Sequence, residues 1–242
     1  MSHQRKVYVV GRELEARRSL THHVSAIGAE AWPFSGGDDF LEILDHLAPA
    51  CVLLDMDMVD VSGIEVLREM ADREVGWPVI AVSTREDLHV AVEAMKLGAL
   101  DFLHLPLTRE RLALALAPAW RKLEQVVEAG ESRRAAQERL ARLTAREMDV
   151  LLALLVGSSN KALAHEFGIS VRTVEMHRAH MMSKLGVKSL AEAALLAPQA
   201  GIDVSAATAP APKNRAGAVA AHSYPASEHR EQLAALARRL SS

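Results

Sequence analysis

The sequence predicts an α/β domain with a doubly wound, five-stranded parallel sheet, followed by an all-α domain with a helix-turn-helix pattern. Five short apolar runs in residues 1–125 each precede a segment of helical periodicity, whereas residues 140–197 carry helical patterns and no strand pattern. Charge divides the chain in the same way. With 13 basic and 20 acidic side chains, residues 1–125 have a net charge of −7, whereas residues 140–197 carry +2. This contrast predicts two domains with different partners.

The first predicted domain, residues 1–125, alternates strands and helices. The predicted strands are 7–10, 30–34, 51–54, 78–82 and 101–103, and the predicted helices are 12–27, 37–47, 63–71, 87–97 and a segment from about residue 108. Continuous apolar strands are typical of a parallel sheet that helices cover on both faces. Ligands of such sheets bind at the carboxyl ends of the strands, where this sequence places Gly11, Arg12, Asp55, Ser83 and Leu105.

The helical pattern at the end of this domain continues past residue 125. Apolar residues recur there at helical spacing: Leu112, Leu116, Trp120, Leu123 and Val127. Such a stripe can pack on the sheet, and it can also pair with a second copy of the chain. We expect a helical linker over residues 126–139 that is interrupted at Gly130-Glu131-Ser132.

Residues 140–197 form the second predicted domain. Thr144 and Glu147 have the spacing of a capping box at the start of one helix. After a break at residues 157–159, a short helix covers 161–167, and a glycine-containing turn leads to a helix capped by Ser170 that ends near Leu185. A last helix is predicted over 189–197. Residues 198–242 form a predicted flexible tail rich in alanine and proline, with a short helix over 228–241.

Composition excludes several classes of protein. No run of 18 apolar residues is present, which argues against a membrane span, and the N-terminus lacks the apolar segment of a secretory signal, so we expect a cytoplasmic protein. Cys51 is the single cysteine, which excludes an internal disulfide and a thiolate zinc site. No group of residues predicts enzymatic turnover, so we predict no catalytic residue, no metal site and no cofactor.

Regularly spaced residues cover the stretch from Leu143 to Leu196. They are Leu143-Thr144-Ala145-Arg146-Glu147, Val150-Leu151, Gly157, Asn160-Lys161, Ala164, Ile169-Ser170, Thr173-Val174-Glu175, His177-Arg178 and Lys184-Leu185-Gly186. This stretch resembles the C-terminal helix-turn-helix domain of LuxR-type regulators. The resemblance implies binding to double-stranded promoter DNA by a dimer, with one helix of each copy in the major groove.

Helical geometry sorts the predicted recognition helix into faces. Arg172, Glu175 and Met176 fall on its outer face, where Arg172 can bind guanine or a phosphate and Glu175 can accept a hydrogen bond from cytosine. Ser170 and Thr173 stand at the helix N-terminus, which suits a phosphate, although helix capping alone is an alternative role for Thr173. Four basic residues are candidate phosphate contacts, which position DNA without specifying sequence: Lys161, Arg178, Lys184 and Lys188.

A second set of anchors covers residues 5–125. They are Asp55, Asp60-Val61-Ser62-Gly63, Ser83, residues 94–99, Asp101-Phe102 and Pro106. In order and spacing they resemble the flavodoxin-like receiver domain of two-component response regulators, and the likeness is greatest to the FixJ type, which joins a receiver to this kind of helix-turn-helix. The resemblance implies that Asp55 stands at the phosphoacceptor position, Ser83 at the position of a phosphate-binding hydroxyl and Phe102 at that of a switch aromatic.

The receiver-like site departs from the family pattern. Receivers hold Mg²⁺ with an acidic pair after the first strand and bind the phosphoryl group with a lysine after the fifth, but here Gly11-Arg12 and Leu105 stand at these positions. Asp57 occupies a position that more usually holds a basic or uncharged residue. We hypothesise that Arg12 pairs with Asp55 or Asp57, so that its guanidinium permanently replaces the metal. Mg²⁺ binding is then weak or absent, as in an atypical receiver, or pseudo-receiver.

The combined prediction is a sequence-specific DNA-binding transcription regulator that works without ordinary Mg²⁺-dependent aspartyl phosphorylation. We expect a homodimer formed through helices 87–97 and 108–123, with 189–197 as a further candidate contact. Three alternatives remain open. One is an ordinary response regulator that a histidine kinase activates through Asp55, and another is a ligand-responsive regulator that uses the vacated phosphate pocket. The third is a protein-interaction adaptor whose helix over 228–241 docks on another regulator or blocks the DNA-binding face.

Overall fold

A computed structural model describes residues 5–202 of the 242-residue chain. The described residues form two compact units, with the boundary in the sequence between Ala129 and Gly130. The predicted helix over 228–241, with the tail from residue 203 onwards, lies outside the described residues.

The first unit is built on one parallel sheet. Its strands are β1 (Lys6–Val10), β2 (Glu30–Phe34), β3 (Cys51–Asp55), β4 (Val79–Ser83) and β5 (Asp101–His104). Its helices are α1 (Leu14–Ala26), α2 (Gly37–Ile43, followed by a 3-10 turn at Leu44–His46), α3 (Gly63–Asp72), α4 (Leu88–Lys96) and the start of α5 (Arg109–Leu140). All neighbouring strands are parallel in the order β2-β1-β3-β4-β5. The predicted fold class is therefore confirmed.

The sheet has a separate apolar core on each face, because successive side chains of a strand point to opposite sides. Val7, Val9 and Leu53 belong to the core under α1 and α5, which includes Leu112, Leu116 and Trp120 of the predicted stripe. Tyr8, Val10 and Leu54 belong to the opposite core, under α2, α3 and α4. The first half of the stripe thus packs on the sheet.

The predicted interruption at Gly130-Glu131-Ser132 is wrong, since α5 runs without a break through these residues. A glycine inside a helix costs only about 1 kcal/mol relative to alanine. The neighbouring glutamate, arginine and alanine residues favour a helix, so this cost does not end it.

The second unit continues with four short helices, α6 (Ala145–Leu155), α7 (Asn160–Phe167), α8 (Val171–Leu185) and α9 (Leu190–Gln199). The predicted capping box at Thr144 and Glu147 is present. Gly168 and Gly186 end α7 and α8 with φ near +64°, a left-handed conformation that glycine adopts without steric cost. Within residues 5–202, no helix has both the length and the apolar character needed to cross a membrane.

Candidate functional site

The predicted receiver-site residues meet at the carboxyl edge of the sheet. β3 ends at Asp55 and β4 at Ser83, and the two strands are neighbours. Gly11 follows β1 directly, and a Cβ atom built on it would lie 3.1 Å from Asp55 Cβ and 3.3 Å from Asp55 Oδ2. The topology therefore brings Gly11, Asp55 and Ser83 together as predicted. Gly11 contributes only backbone atoms to this site and no carboxylate.

Asp55 is almost fully enclosed, with 8% of its surface exposed. The backbone N–H of Asp57 donates to its Oδ1 at 2.9 Å. Burial raises the pKa of Asp55, and the negative charges of Asp57 and Glu13 add to the rise, against the opposing effect of the Asp57 N–H. This carboxylate thus has neighbouring acids and no cationic partner among the described residues.

The Asp57 carboxylate accepts hydrogen bonds from Ser83, the last residue of β4, and from Thr84, which follows it. Ser83 Oγ lies 3.0 Å from both of its oxygens. Thr84 donates to its Oδ2 twice, from the backbone N–H at 2.6 Å and from the hydroxyl at 2.8 Å. The hydroxyl expected to bind a phosphoryl group therefore already faces a carboxylate of the same chain.

Arg12 does not pair with Asp55 or Asp57, so that hypothesis is wrong. Its guanidinium forms an ion pair with Asp60, and both side chains are more than half exposed. The physical reason is that Asp57 is already satisfied by neutral donors, whereas Asp60 lies in solvent within reach. An exposed pair of this kind contributes only about 0.2–1 kcal/mol to stability.

The position of the receiver lysine holds an apolar side chain. Leu105 is 9% exposed and belongs to the core under α1 and α5. Phe102, the predicted switch aromatic, is half-buried and packs against the opposite core. The phosphoryl-binding end of the sheet thus receives no ammonium group from this position.

The donor set at this edge does not fit the Mg²⁺ that receivers use. Among residues 5–202, no three His, Cys, Asp or Glu side chains have a geometry that could hold a metal ion. Of the acids nearby, Asp57 accepts from Ser83 and Thr84, Asp60 pairs with Arg12, and Glu13 caps α1. Only Asp55 remains, and Mg²⁺ is held by several oxygen ligands in an octahedron.

The second candidate site is the surface formed by α8 and the N-terminus of α7. Six of the predicted DNA contacts are exposed: Lys161, Ser170, Arg172, Glu175, Met176 and Lys188. Ser170 Oγ accepts from the Thr173 N–H at 3.1 Å and lies 2.8 Å from Thr173 Oγ1. The Ser170 and Thr173 hydroxyls thus take part in the helix cap, and their contact with a phosphate stays a prediction, as does that of the partly buried Arg178.

Lys184, predicted to contact a phosphate, has a partner inside the domain. Its ammonium lies 2.6 Å from Glu147 Oε2, and the Glu147 side chain is only 4% exposed. The same Oε2 accepts from the backbone N–H of Thr144 at 2.8 Å. This pair ties α8 to the start of α6. The sequence showed the capping box but not that its glutamate would be buried with a lysine 37 positions away.

The buried Glu147 predicts a pH-dependent stability of the second unit. The bonds from Lys184 and Thr144 lower the pKa of Glu147 to about 2, against an ordinary value of 4.5. As the pH falls, Glu147 is protonated in the unfolded chain at a higher pH than in the folded protein. The ionised carboxylate therefore stabilises the fold fully above about pH 4.5, and this contribution is lost as the pH falls towards 2. Circular dichroism melts across this range should show that loss. In Glu147→Gln this part of the pH dependence should be missing, and equal profiles for both proteins would contradict the prediction.

Comparison with known proteins assigns each of the two domains to a family. Residues 7–117 match the model of the response regulator receiver domain, and residues 141–197 match that of bacterial regulatory proteins of the luxR family. The chain is 37% identical over 199 residues to the transcriptional regulatory protein FixJ of Bradyrhizobium diazoefficiens, covering 81% of this chain and 96% of that protein. This chain belongs to the FixJ-type response regulators.

Other relatives also match most of this FixJ-type regulator. The transcriptional regulatory protein TdiR of Thauera aromatica is 34% identical over 76% of this chain and 81% of its own. The solved structure of the response regulator StyR covers 81% of this chain and all of its own, with 31% identity and a TM-score of 0.66. Full-length FixJ from B. japonicum covers 83% of this chain and 98% of its own, with 34% identity and a TM-score of 0.50.

The family membership confirms the predicted resemblances to the receiver and the LuxR-type helix-turn-helix. This FixJ-type regulator is a DNA-binding transcription regulator of the response-regulator class in two-component systems. Its two domains imply DNA and a histidine kinase as partner classes. The relatives are named as regulators rather than enzymes.

Proposed function

We propose that this FixJ-type regulator binds specific promoter DNA as a homodimer and that its receiver acts without ordinary Mg²⁺-dependent phosphorylation of Asp55. The observation that carries the proposal is that the site lacks both the lysine and one of the acids that would hold Mg²⁺. Leu105 turns into the apolar core where a lysine would bind the phosphoryl group, and Gly11 supplies no carboxylate for the metal. A carboxylate that attacks a phosphorylated donor needs such cations to offset the repulsion between anions.

The proposal is tested by intact-mass spectrometry after treatment with a small phosphodonor such as phosphoramidate, with and without Mg²⁺. We expect no stoichiometric addition of a phosphoryl group to the wild-type protein. The Asp55→Asn variant is the control for modification elsewhere in the chain. A Mg²⁺-dependent phosphoryl adduct in the wild type that Asp55→Asn lacks would overturn the proposal and establish the ordinary alternative, for which Asp55 and Ser83 stand in their usual places.

Homodimerisation is supported by apolar side chains that the receiver leaves exposed. On α4, Leu88, Val92 and Met95 recur at helical spacing and are 75%, 44% and 47% exposed, and Leu114 on α5 is 69% exposed. Exposed apolar side chains that recur on one helix face mark an interaction site. In the second unit, α9 exposes Leu195, which supports the proposed further contact over 189–197. Sedimentation velocity of Val92→Glu should show a shift towards monomer, whereas an unchanged association would contradict the assigned α4 surface.

DNA recognition is assigned to the exposed N-terminal half of α8. Arg172, Glu175 and Met176 are exposed there, and the net charge of +2 in residues 140–197 suits phosphates. Arg172→Ala should cost about 1–3 kcal/mol at the cognate site and relax the preference for one base pair. Lys188→Ala should weaken binding to all DNA sequences alike and reduce the salt dependence of the affinity. Fluorescence anisotropy on a duplex that the protein selects from genomic DNA and on a scrambled duplex separates the two effects. An equal loss of affinity for both duplexes in Arg172→Ala would make Arg172 a phosphate contact.

A further inference from the structure

We propose that the Asp57 carboxylate is a built-in anion that holds the segment after β4, and with it the start of α4, in the arrangement that a bound phosphoryl group would otherwise impose. The inference deepens the proposed function, on which it rests, because it states what replaces phosphorylation at the same site. It assigns Asp57 as a positioning residue that acts through Ser83 and Thr84.

The donors at the end of β4 suit a carboxylate as well as a phosphoryl group. A carboxylate only accepts hydrogen bonds, as does a phosphoryl group, and both present several oxygens. Ser83 Oγ lies 3.0 Å from each Asp57 oxygen, and Thr84 contributes two donors to Oδ2. The backbone amide and hydroxyls at the end of β4 thus already surround an anion that belongs to the chain.

The charge of Asp57 also affects which anions can reach these donors. In the part of the chain that the structure describes, no ion pair to Asp57 is found, and Arg12, the cation that the sequence predicts as its partner, is paired with Asp60. Asp57 is therefore held by neutral donors alone. Any external anion that reached Ser83 and Thr84 would meet the negative charge of Asp57 and would have to displace it.

The hydrogen bonds at the end of β4 continue to the start of α4. Ser83 Oγ also accepts from the backbone N–H of Arg85 at 2.9 Å. Two residues further on, Asp87 caps α4 by accepting from the backbone N–H groups of His89 at 2.9 Å and Val90 at 3.2 Å. The short segment between β4 and α4 is thus fixed at both ends. Since α4 carries the exposed apolar side chains assigned to dimerisation, the position of this segment affects that surface.

The test compares two matched substitutions in the full chain without any phosphodonor. Asp57→Ala removes the internal anion. Asp60→Ala removes another carboxylate of the same loop, whose ion-pair partner among the described residues is the exposed Arg12. Amide hydrogen exchange over residues 83–90 and sedimentation velocity are the measurements. We expect Asp57→Ala to raise exchange at Thr84 and the start of α4 about tenfold or more and to weaken self-association, because charge-assisted hydrogen bonds are lost. Asp60→Ala should match the wild type in both.

Anion rescue separates a positioning anion from general damage. Addition of acetate or sulfate, against chloride at equal ionic strength, should restore slow exchange over residues 83–90 in Asp57→Ala and leave Asp60→Ala unchanged. If Asp57→Ala does not fold, Asp57→Asn decides. It keeps one acceptor oxygen and should exchange faster at Thr84 than the wild type while retaining its fold.

The inference would be overturned if a folded Asp57→Ala showed the exchange and self-association of the wild type. If Asp57→Ala does not fold, the same result in Asp57→Asn would overturn it. Equal effects of Asp57→Ala and Asp60→Ala would overturn it as well. None of these results bears on whether Asp55 accepts a phosphoryl group, which the mass measurement on the wild type decides separately. Failure of the inference can therefore be distinguished from failure of the proposed function.

Discussion

Replacing Lys184 by methionine should destabilise the second unit by about 3 kcal/mol, because it leaves a buried carboxylate without its cation. Glu147 is 3% exposed, and its pKa is lowered first by the hydrogen bond from Lys184. Without the ammonium, only the Thr144 donors remain to offset the burial of the charge. Glu147→Gln should cost less, about 1–2 kcal/mol, since the remaining ammonium is partly exposed and can rehydrate.

Spectroscopy can assign this loss to the correct unit. All three tryptophans of the chain, Trp32, Trp77 and Trp120, precede residue 129, so tryptophan fluorescence follows the receiver while far-UV circular dichroism follows the helices of both units. In Lys184→Met, the dichroism transition in urea should shift without a shift in fluorescence. Lys188→Met, which alters an exposed lysine nearby, is the matched control. A variant with normal stability and weaker DNA binding would instead make Lys184 the phosphate contact that the sequence predicts.

Replacing Gly63 by alanine should destabilise the receiver by about 2–3 kcal/mol. Gly63 begins α3, and a Cβ atom there would lie 2.6 Å from Met56 Sδ, 2.8 Å from the Asp55 carbonyl oxygen and 2.9 Å from Met56 Cα. The sulfur can move aside, but the two backbone atoms cannot move without shifting the end of β3. The same change should therefore displace Asp55.

Gly130→Ala is the control for Gly63→Ala, because Gly130 lies inside α5 with no neighbouring atom within 4 Å of a built Cβ. Alanine there should stabilise the helix by about 0.5–1 kcal/mol. Urea unfolding followed by tryptophan fluorescence should show a lower midpoint for Gly63→Ala only. Equal midpoints for Gly63→Ala and the wild type would mean that the β3–α3 connection yields more easily than its contacts indicate.

The strands and the position of the receiver site were predictable because both follow from regular patterns. Five apolar runs separated by helical segments leave few topologies, and a parallel sheet brings Asp55 and Ser83 to the same edge. The N-cap at Ser170 and the capping box at Thr144 were predictable for a similar reason, since a cap is a local interaction over three residues.

The partners of charged side chains could not be predicted in the same way. Arg12 had Asp55, Asp57 and Asp60 within plausible reach, and the choice depended on Ser83 and Thr84 having already bonded Asp57. The sequence held a signal for that contact, namely an acid after β3 and two adjacent hydroxyl residues at the end of the neighbouring β4. Burial of Glu147 against Lys184 depends on how α6 packs against α8, which no local pattern records.

The most direct test of a phosphorylation-independent receiver is the affinity of the full-length protein for its selected genomic DNA sites, measured with and without Mg²⁺ and beryllofluoride, a mimic of the phosphoryl group. We expect the same sites to be selected with the same Kd in both conditions, because Leu105 and Gly11 provide neither the ammonium nor the acid that would hold the mimic at Asp55. A tenfold or greater tightening by beryllofluoride, about 1.4 kcal/mol, would show that the pocket still accepts a phosphoryl group and would contradict this mechanism.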